Sequence, residues 1–237
     1  MYGYYGGYGY YGSMIFLIPA IVFTMIAQAK VNAAYSRYAR VANQRRMTGA
    51  QAARLILDKN GMNDVPIEVV GGRLSDHYDP RNRVMRLSEE VYSQPSVASV
   101  CIAAHEAGHA IQHSTNYSPL TLRNGIVPIV NLCSGASWPL LIIGLIAGTG
   151  TMGSFLFNLG VLFFTTTILF QLITLPVEFN ASRRAMQQLE ALGILERGEE
   201  ERGAKKVLSA AALTYVAALA MAVSNLIRIL AMRNRRD

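Results

Sequence analysis

Charged residues are scarce in this chain, and the shortage is concentrated in two long stretches. Only 16% of the 237 residues are charged, against about 25% in an average soluble domain. No charged residue occurs from Met1 to Ala29, and none occurs from Asn124 to Val177. A membrane-spanning helix needs roughly 20 apolar residues, so the second stretch accommodates two such helices and a turn. The sequence therefore predicts an integral membrane protein and argues against a wholly water-soluble enzyme.

Cysteine and nucleic-acid-binding motifs are also lacking. The two cysteines, Cys101 and Cys133, are too few for a disulfide scaffold, which is short and rich in cysteine. We expect both to be buried free thiols. The net charge of +7 comes without any motif for binding DNA or RNA. Because Lys and Arg commonly flank the cytoplasmic ends of membrane helices, we expect no nucleic-acid partner.

Apolar segments divide the chain into predicted membrane helices and polar regions. The predicted spans are 13–29, 126–148, 154–175 and 207–227. Before them lies a tail, 1–12, that contains only Tyr and Gly after Met1. Between the third and fourth spans, residues 176–206 are predicted to form a helix that carries the third metal ligand, followed by a charged loop. After the fourth span lies a basic tail, 228–237.

The distribution of Lys and Arg predicts the orientation in the membrane. Twelve lie between residues 30 and 123, and six between 183 and 206. If the N-terminus is outside, both basic segments face the cytoplasm, as the positive-inside rule requires. The basic tail 228–237 is contrary to the rule, which leaves open whether the fourth helix spans completely.

The polar region 30–118 predicts a small domain with helices and a short β element. The stretch "MTGAQAARLILDKNGM" predicts a helix with Thr48 as N-cap, Gln51 completing a capping box, and Asn60-Gly61 ending the helix. Turn signals and β-branched runs between 65 and 87 predict strands. Ser96 is the expected N-cap of the next helix, which carries three histidines. The predicted fold is thus mainly α and multi-pass, with about four spans and this domain at the cytoplasmic membrane face.

The histidine helix contains the motif "HEAGH". His105 and His109 are four residues apart, so both lie on one face of the helix. Their imidazoles can converge on one Zn²⁺ ion, while Glu106 is positioned to act on a water molecule. The sequence therefore predicts a metal site with His105 and His109 as ligands and Glu106 as the catalytic carboxylate.

The third ligand must be found elsewhere in the chain. His113 lies about 12 Å along the helix axis from His105, too far for three side chains to surround one ion easily. Two predicted spans return the chain to the same membrane side at Glu178, the first charged residue after Arg123. A His₂Glu set leaves one coordination position open. We therefore expect Glu178 to be the third ligand and His113 to be a polar residue at the helix end.

The segments "AAHEAGHAIQH", "LSDHYDPRNRVMRLS" and "LPVEFNASRRA" resemble those of the neutral zinc metallopeptidases of bacterial membranes (the YugP type). The likeness extends from about Thr48 to the fourth span. It implies a zincin-like domain and gluzincin-like metal binding by His105, His109 and Glu178. More distantly, the last segment resembles membrane-embedded heat-shock and CAAX-prenyl proteases, in which an Asp follows the Glu ligand by four residues. Here that place is taken by Ser182, and Ser182 or Asn180 is the expected weaker support for a ligand.

These features predict a zinc-dependent endopeptidase in the bacterial cell membrane, with its active site on the cytoplasmic side. Its expected partners are the lipid bilayer and peptide or membrane-protein substrates. An extended substrate would add to a strand edge in 65–87, with His77 or Tyr78 as candidate donors to the oxyanion.

Two alternatives differ from this prediction in class. One is a non-catalytic membrane scaffold or assembly factor with a structural zinc. The other is a metal-handling membrane protein, which would need ionisable residues inside its spans. The predicted spans contain none, and three protein ligands beside an intact Glu106 favour catalysis over a closed structural site.

Overall fold

The computed structural model describes residues 13–233. The Tyr/Gly-rich tail 1–12 and residues 234–237 of the basic tail lie outside the described residues. Within the described range the chain is mainly helical and has a small three-stranded sheet, which confirms the predicted fold class in this coarser form. In chain order the elements are α1 (Ile18–Tyr38), α2 (Gly49–Lys59), β1 (Ile67–Val70), β2 (His77–Asp79), β3 (Val84–Ser88), α3 (Glu89–Ser93), α4 (Val97–Ser114), α5 (Ser118–Ile146), α6 (Thr151–Ala191) and α7 (Glu199–Arg233).

The chain folds into two compact units. The first, which we call the sheet-bearing unit, comprises Ala27–Thr121 and Pro176–Leu213. The second, which we call the apolar unit, comprises Leu122–Leu175 together with the described parts of Met1–Ile26 and Thr214–Asp237.

Helix α2 of the sheet-bearing unit begins with the predicted capping box. The backbone N–H of Gln51 donates to Thr48 Oγ1 at 3.2 Å, and the Thr48 N–H donates to Gln51 Oε1 at 2.9 Å. These bonds satisfy two N–H groups that lack partners within the helix. At the other end Gly61 adopts a φ of 74°, a conformation that glycine takes at no steric cost. The predicted start and stop of this helix are both confirmed.

The sheet has β3 at its centre and β2 at one edge. Strand β3 pairs in parallel with β1 and antiparallel with β2, so Met85 lies opposite both Ile67 and Tyr78. Met85 and Leu87 are fully buried. The strands predicted between 65 and 87 are confirmed, and their order makes β2 a short edge strand.

The histidine helix α4 runs through the core of the sheet-bearing unit. Its N-cap is Ser96, as predicted, because the Ser99 N–H donates to the Ser96 hydroxyl at 3.0 Å. Its buried faces are lined largely by alanine, whose small side chain lets neighbouring helices approach closely. The fully buried alanines of α4 are Ala98, Ala103, Ala104, Ala107 and Ala110.

Three described helices, α5, α6 and α7, are long and apolar enough to cross a membrane. Large apolar side chains point outward from them: Leu132 is 73% exposed, Ile146 81% and Leu162 62%. Helix α1 is not among the three, so the predicted first span, 13–29, stays a prediction.

The long helices do not end where the predicted spans end. A separate third-ligand helix was expected from residue 176, but α6 continues through Pro176 without a break. Helix α5 likewise contains Pro128 and Pro139. Proline removes one backbone donor, yet membrane helices tolerate it where neighbouring groups compensate. The apolar pattern of a sequence predicts which part of a helix can lie in a membrane. It does not predict where the helix ends, because backbone hydrogen bonds can extend the helix into polar sequence.

Candidate metal centre

Two imidazoles of helix α4 lie next to each other, one helical turn apart, with the edge of one ring toward the face of the other. The ring centroids of His105 and His109 are 4.8 Å apart, and the ring planes make an angle of 85°. This is the arrangement expected of residues four apart on a helix. Both side chains are 13% exposed, so they are accessible at the edge of the core.

Glu178 of helix α6 completes a group of three ligands. Its Oε2 lies 3.3 Å from His105 Nε2 and 3.4 Å from His109 Nε2. Ligand atoms about 2.0–2.1 Å from a tetrahedral zinc ion are about 3.3–3.4 Å apart. The three ligand atoms all lie within 4.8 Å of one another. His105, His109 and Glu178 could therefore hold a metal ion, and two nitrogens with one oxygen suit Zn²⁺.

A glycine in the motif brings the two ligand-bearing helices together. A Cβ atom added to Gly108 would lie only 2.6 Å from the carbonyl oxygen of Ala181 and 3.2 Å from its Cα. Any larger residue at position 108 would collide with the backbone of α6. The glycine therefore permits close packing of α4 against α6.

His113 makes a contact outside the three-ligand group. Its Nδ1 lies 2.9 Å from the Tyr78 hydroxyl, and the two rings are 5.8 Å apart. His113 therefore lies against the edge strand β2, and the group that could hold a metal does not contain it.

Ser182 supports one ligand histidine. Its hydroxyl oxygen lies 3.2 Å from His105 Nδ1. With Nδ1 protonated and donating to this oxygen, His105 presents the lone pair of Nε2 toward Glu178. Ser182 is thus positioned to orient His105, and its support of a metal ligand stays a prediction.

Gln112 supports the other ligand histidine, and sequence reasoning missed it. The side chain is fully buried. Its Nε2 donates to the Val177 carbonyl at 2.7 Å and to Asn180 Oδ1 at 3.0 Å. Because the amide nitrogen faces two acceptors, Oε1 must face His109 Nδ1, 3.0 Å away. His109 therefore donates from Nδ1, which leaves Nε2 free of a proton for a metal.

Asn180 reaches this network only indirectly. Its Oδ1 accepts from Gln112 and, at 2.8 Å, from Arg184 Nε. Asn180 was expected to support a ligand directly, but Gln112 lies between it and His109. The only sequence signal for Gln112 was its position three residues after His109, which places both on one face of α4.

Glu106 is a buried carboxylate beside the three ligands. It is 8% exposed, and its Oε2 accepts from the backbone N–H of Tyr78 at 2.9 Å. Burial raises the pKa of the Glu106 carboxyl to about 7, near the value that suits a general base at neutral pH. A divalent cation close to it would favour the ionised form.

The two candidate oxyanion donors have different surroundings. The imidazole of His77 is exposed, and its Nδ1 lies 2.8 Å from the Ser75 carbonyl oxygen, a local turn contact. Tyr78 instead reaches α4 twice, through its backbone N–H to Glu106 and through its hydroxyl to His113. Of these two residues, Tyr78 is the one with hydrogen-bond contacts to α4, the helix that contains the "HEAGH" motif.

Comparison with known proteins agrees with this chemistry. The family described as "Putative neutral zinc metallopeptidase" matches residues 13–234. The "Putative membrane protease YugP" of Bacillus subtilis (strain 168) is 47% identical over 225 residues, which cover 94% of this chain and 98% of that protein. No solved structure matches the chain. The resemblance seen in the sequence is confirmed: this chain belongs to the family described as "Putative neutral zinc metallopeptidase".

Proposed function

We propose that this chain is a zinc-dependent endopeptidase of the membrane that hydrolyses peptide bonds in membrane-associated proteins near the cytoplasmic interface. The observation that carries the proposal is a three-residue ligand set beside a buried carboxylate. Structural zinc sites usually have four protein ligands, whereas catalytic sites have three and one open position. The ligand count therefore supports catalysis over the alternative, a scaffold or assembly factor with a structural zinc.

Each residue of the site has a distinct proposed task. His105, His109 and Glu178 would hold Zn²⁺, which when bound polarises a carbonyl group and makes water a stronger acid. Glu106 accepts a proton from the attacking water and delivers it to the amide nitrogen as the C–N bond breaks. The Tyr78 N–H holds Oε2 of Glu106, so Oε1 is the oxygen that exchanges the proton. Tyr78 and His77 remain candidate donors to the developing oxyanion.

The first test compares zinc content and proteolysis in matched variants of the full chain. Glu106→Gln should keep zinc and reduce cleavage of casein or of the chain itself by about 10²–10⁴-fold, the usual contribution of general acid–base catalysis. Glu178→Ala should lose both zinc and activity, because it removes a ligand. Zinc is measured by elemental analysis of the purified protein, and proteolysis by release of fluorescent peptide.

His113→Ala is the control for the ligand assignment. It lies on the same helix as His105 and His109 but contacts Tyr78, so it should keep its zinc. Loss of zinc in His113→Ala together with retention in Glu178→Ala would contradict the proposed ligand set. An unchanged cleavage rate in Glu106→Gln would favour the structural-zinc alternative.

The proposed cytoplasmic location rests on the basic segments 30–123 and 183–206, which flank the predicted second and third spans. We expect membrane-tethered substrates to be cut close to their cytoplasmic interface. Substrates with a cleavable tag on either side of one membrane helix test this in intact cells and in inverted vesicles. Cleavage confined to the extracellular tag would overturn the orientation and leave the proposed chemistry intact.

A further inference from the structure

A groove of about 510 Å³ lies between helices α1 and α7, within the sheet-bearing unit. Small residues contribute to its lining: Ala33 and Ala34 from α1 and Ala210 from α7. At one end the helices touch, because a Cβ atom added to Gly203 would lie 2.6 Å from a ring carbon of Tyr38. The helices are thus in firm contact at one end, and the alanines leave open space beside that contact.

The groove is bordered by cations. Lys30 and Arg37 line it from α1, and Lys206 lines it from α7. Lys30 and Arg37 are seven residues apart, two helical turns, so they lie on one face with the alanines between them. None of the described residues that line the groove is Asp or Glu. The groove therefore combines three positive charges with an apolar floor.

The cations of this groove lack an ion-pair partner in the part of the chain that the structure describes. Among residues 13–233, no ion pair involves Lys30, Arg37 or Lys206. The adjacent Lys205, by contrast, pairs with Glu201 one turn earlier on α7. Two consecutive lysines thus differ: one is paired on the helix surface and the other faces the groove without an ion pair.

In the predicted topology, the groove lies at the depth of lipid headgroups. Lys30 directly follows the predicted span 13–29, and Lys206 directly precedes the predicted span 207–227. Basic pockets between membrane helices on the cytoplasmic side are suited to anionic headgroups. An apolar floor between such cations also suits the upper parts of acyl chains.

We propose that this groove binds the phosphate headgroup of an anionic phospholipid, with Lys30, Arg37 and Lys206 as its ligands. Each cation near an anionic membrane surface strengthens association about fivefold. Lipid binding here is independent of the metal centre, because no residue of the groove belongs to that site.

The test uses the full chain in a neutral detergent and follows its thermal stability during lipid titration. Phosphatidylglycerol should raise the melting temperature in a saturable manner, whereas phosphatidylcholine and inorganic phosphate at equal concentrations should not. Lys206→Gln and Arg37→Gln should each weaken the apparent affinity about fivefold. The controls Lys205→Gln and Arg40→Gln remove nearby exposed charges that do not line the groove, and should keep wild-type affinity.

A further variant tests whether binding depends on the open space in the groove as well as on its positive charge. Ala33→Phe fills the groove floor without changing its charge, and should reduce the phosphatidylglycerol effect while leaving the lipid-free melting temperature near that of the parent. Equal loss of affinity in Lys205→Gln and Lys206→Gln would overturn the proposal, because it would show attraction to the basic surface in general. Protection by inorganic phosphate equal to that by phosphatidylglycerol would overturn the assignment to a lipid, and no protection at all would overturn the site.

Discussion

The two units of this protein differ in the burial of their large apolar side chains. In the sheet-bearing unit, Ile56 and Leu87 are fully buried, whereas in the apolar unit Leu132 is 73% exposed and Ile146 is 81% exposed. Burial of apolar surface away from water stabilises the first unit in the usual way. The second unit gains less from such burial, and its long helices are apolar enough to cross a membrane. The candidate metal ligands all belong to the sheet-bearing unit, so the packing of that unit sets the positions of the three ligand side chains.

The largest expected effect comes from adding a charge to the outer face of the apolar unit. Leu162, 62% exposed, lies near the middle of the predicted span 154–175. Leu162→Arg should cost about 2.5–3.5 kcal/mol of membrane insertion. The control is Val69→Arg at a 54% exposed position of β1, where a surface change should stay within about 0.5 kcal/mol. The measurement is the fraction of protein retained in membranes after carbonate extraction, and equal retention of the two variants would break the comparison.

A second effect concerns the contact between α4 and α6. Gly108→Ala forces a methyl group against the Ala181 backbone, and such overpacking costs about 1–3 kcal/mol. The melting temperature should fall, and zinc affinity should fall with it because Glu178 is on the displaced helix.

Gly125→Ala is the matched control for this contact. It places the same methyl group on α5, where no described residue beyond the adjacent turns of the helix itself comes within 4 Å. It should be neutral or stabilising by up to about 1 kcal/mol, because alanine is the better helix former. If the two variants have the same melting temperature and zinc affinity, the close contact at Gly108 does not exist.

The smallest effects sharpen the comparison between the two supported histidines. Gln112→Ala should weaken zinc binding about 10–100-fold, the usual result of losing a group that orients a ligand. Ser182→Ala removes one 3.2 Å contact to His105 and should weaken zinc binding less than Gln112→Ala does. Chelator competition measures zinc affinity, and circular dichroism checks that both variants fold. A larger loss in Ser182→Ala than in Gln112→Ala would reverse the assignment of the stronger support.

Local patterns in the sequence predicted much of the candidate site. The spacing of His105 and His109 follows from helical periodicity, and the cap at Thr48 follows from short-range hydrogen bonding. Glu178 required one further step, the prediction that the apolar stretch forms two spans that return the chain to the same side. These predictions depend on the helical period, the sign of each charge and the length of the apolar stretch, all of which can be read from a single sequence.

Gln112 could not be predicted in the same way. A glutamine on a helix is as compatible with solvent as with burial, and its partners Val177 and Asn180 lie on another helix. The continuation of α6 through Pro176 was missed for a related reason. The rule that proline ends a helix is local, whereas the groups that compensate for the lost donor come from the surroundings.

The buried amide of Gln112 has a consequence for how the ligands act together. One side of the amide contacts the ligand His109, and the other contacts the carbonyl of Val177, the residue before the ligand Glu178. The two candidate ligands therefore share a coupling free energy through this side chain, in addition to the direct 3.4 Å approach of His109 Nε2 to Glu178 Oε2 and to any ion that both would hold. A double-mutant cycle of His109 and Glu178 should be non-additive in folding stability even without metal. Ordering one ligand helps to order the other, so metal capture should be cooperative.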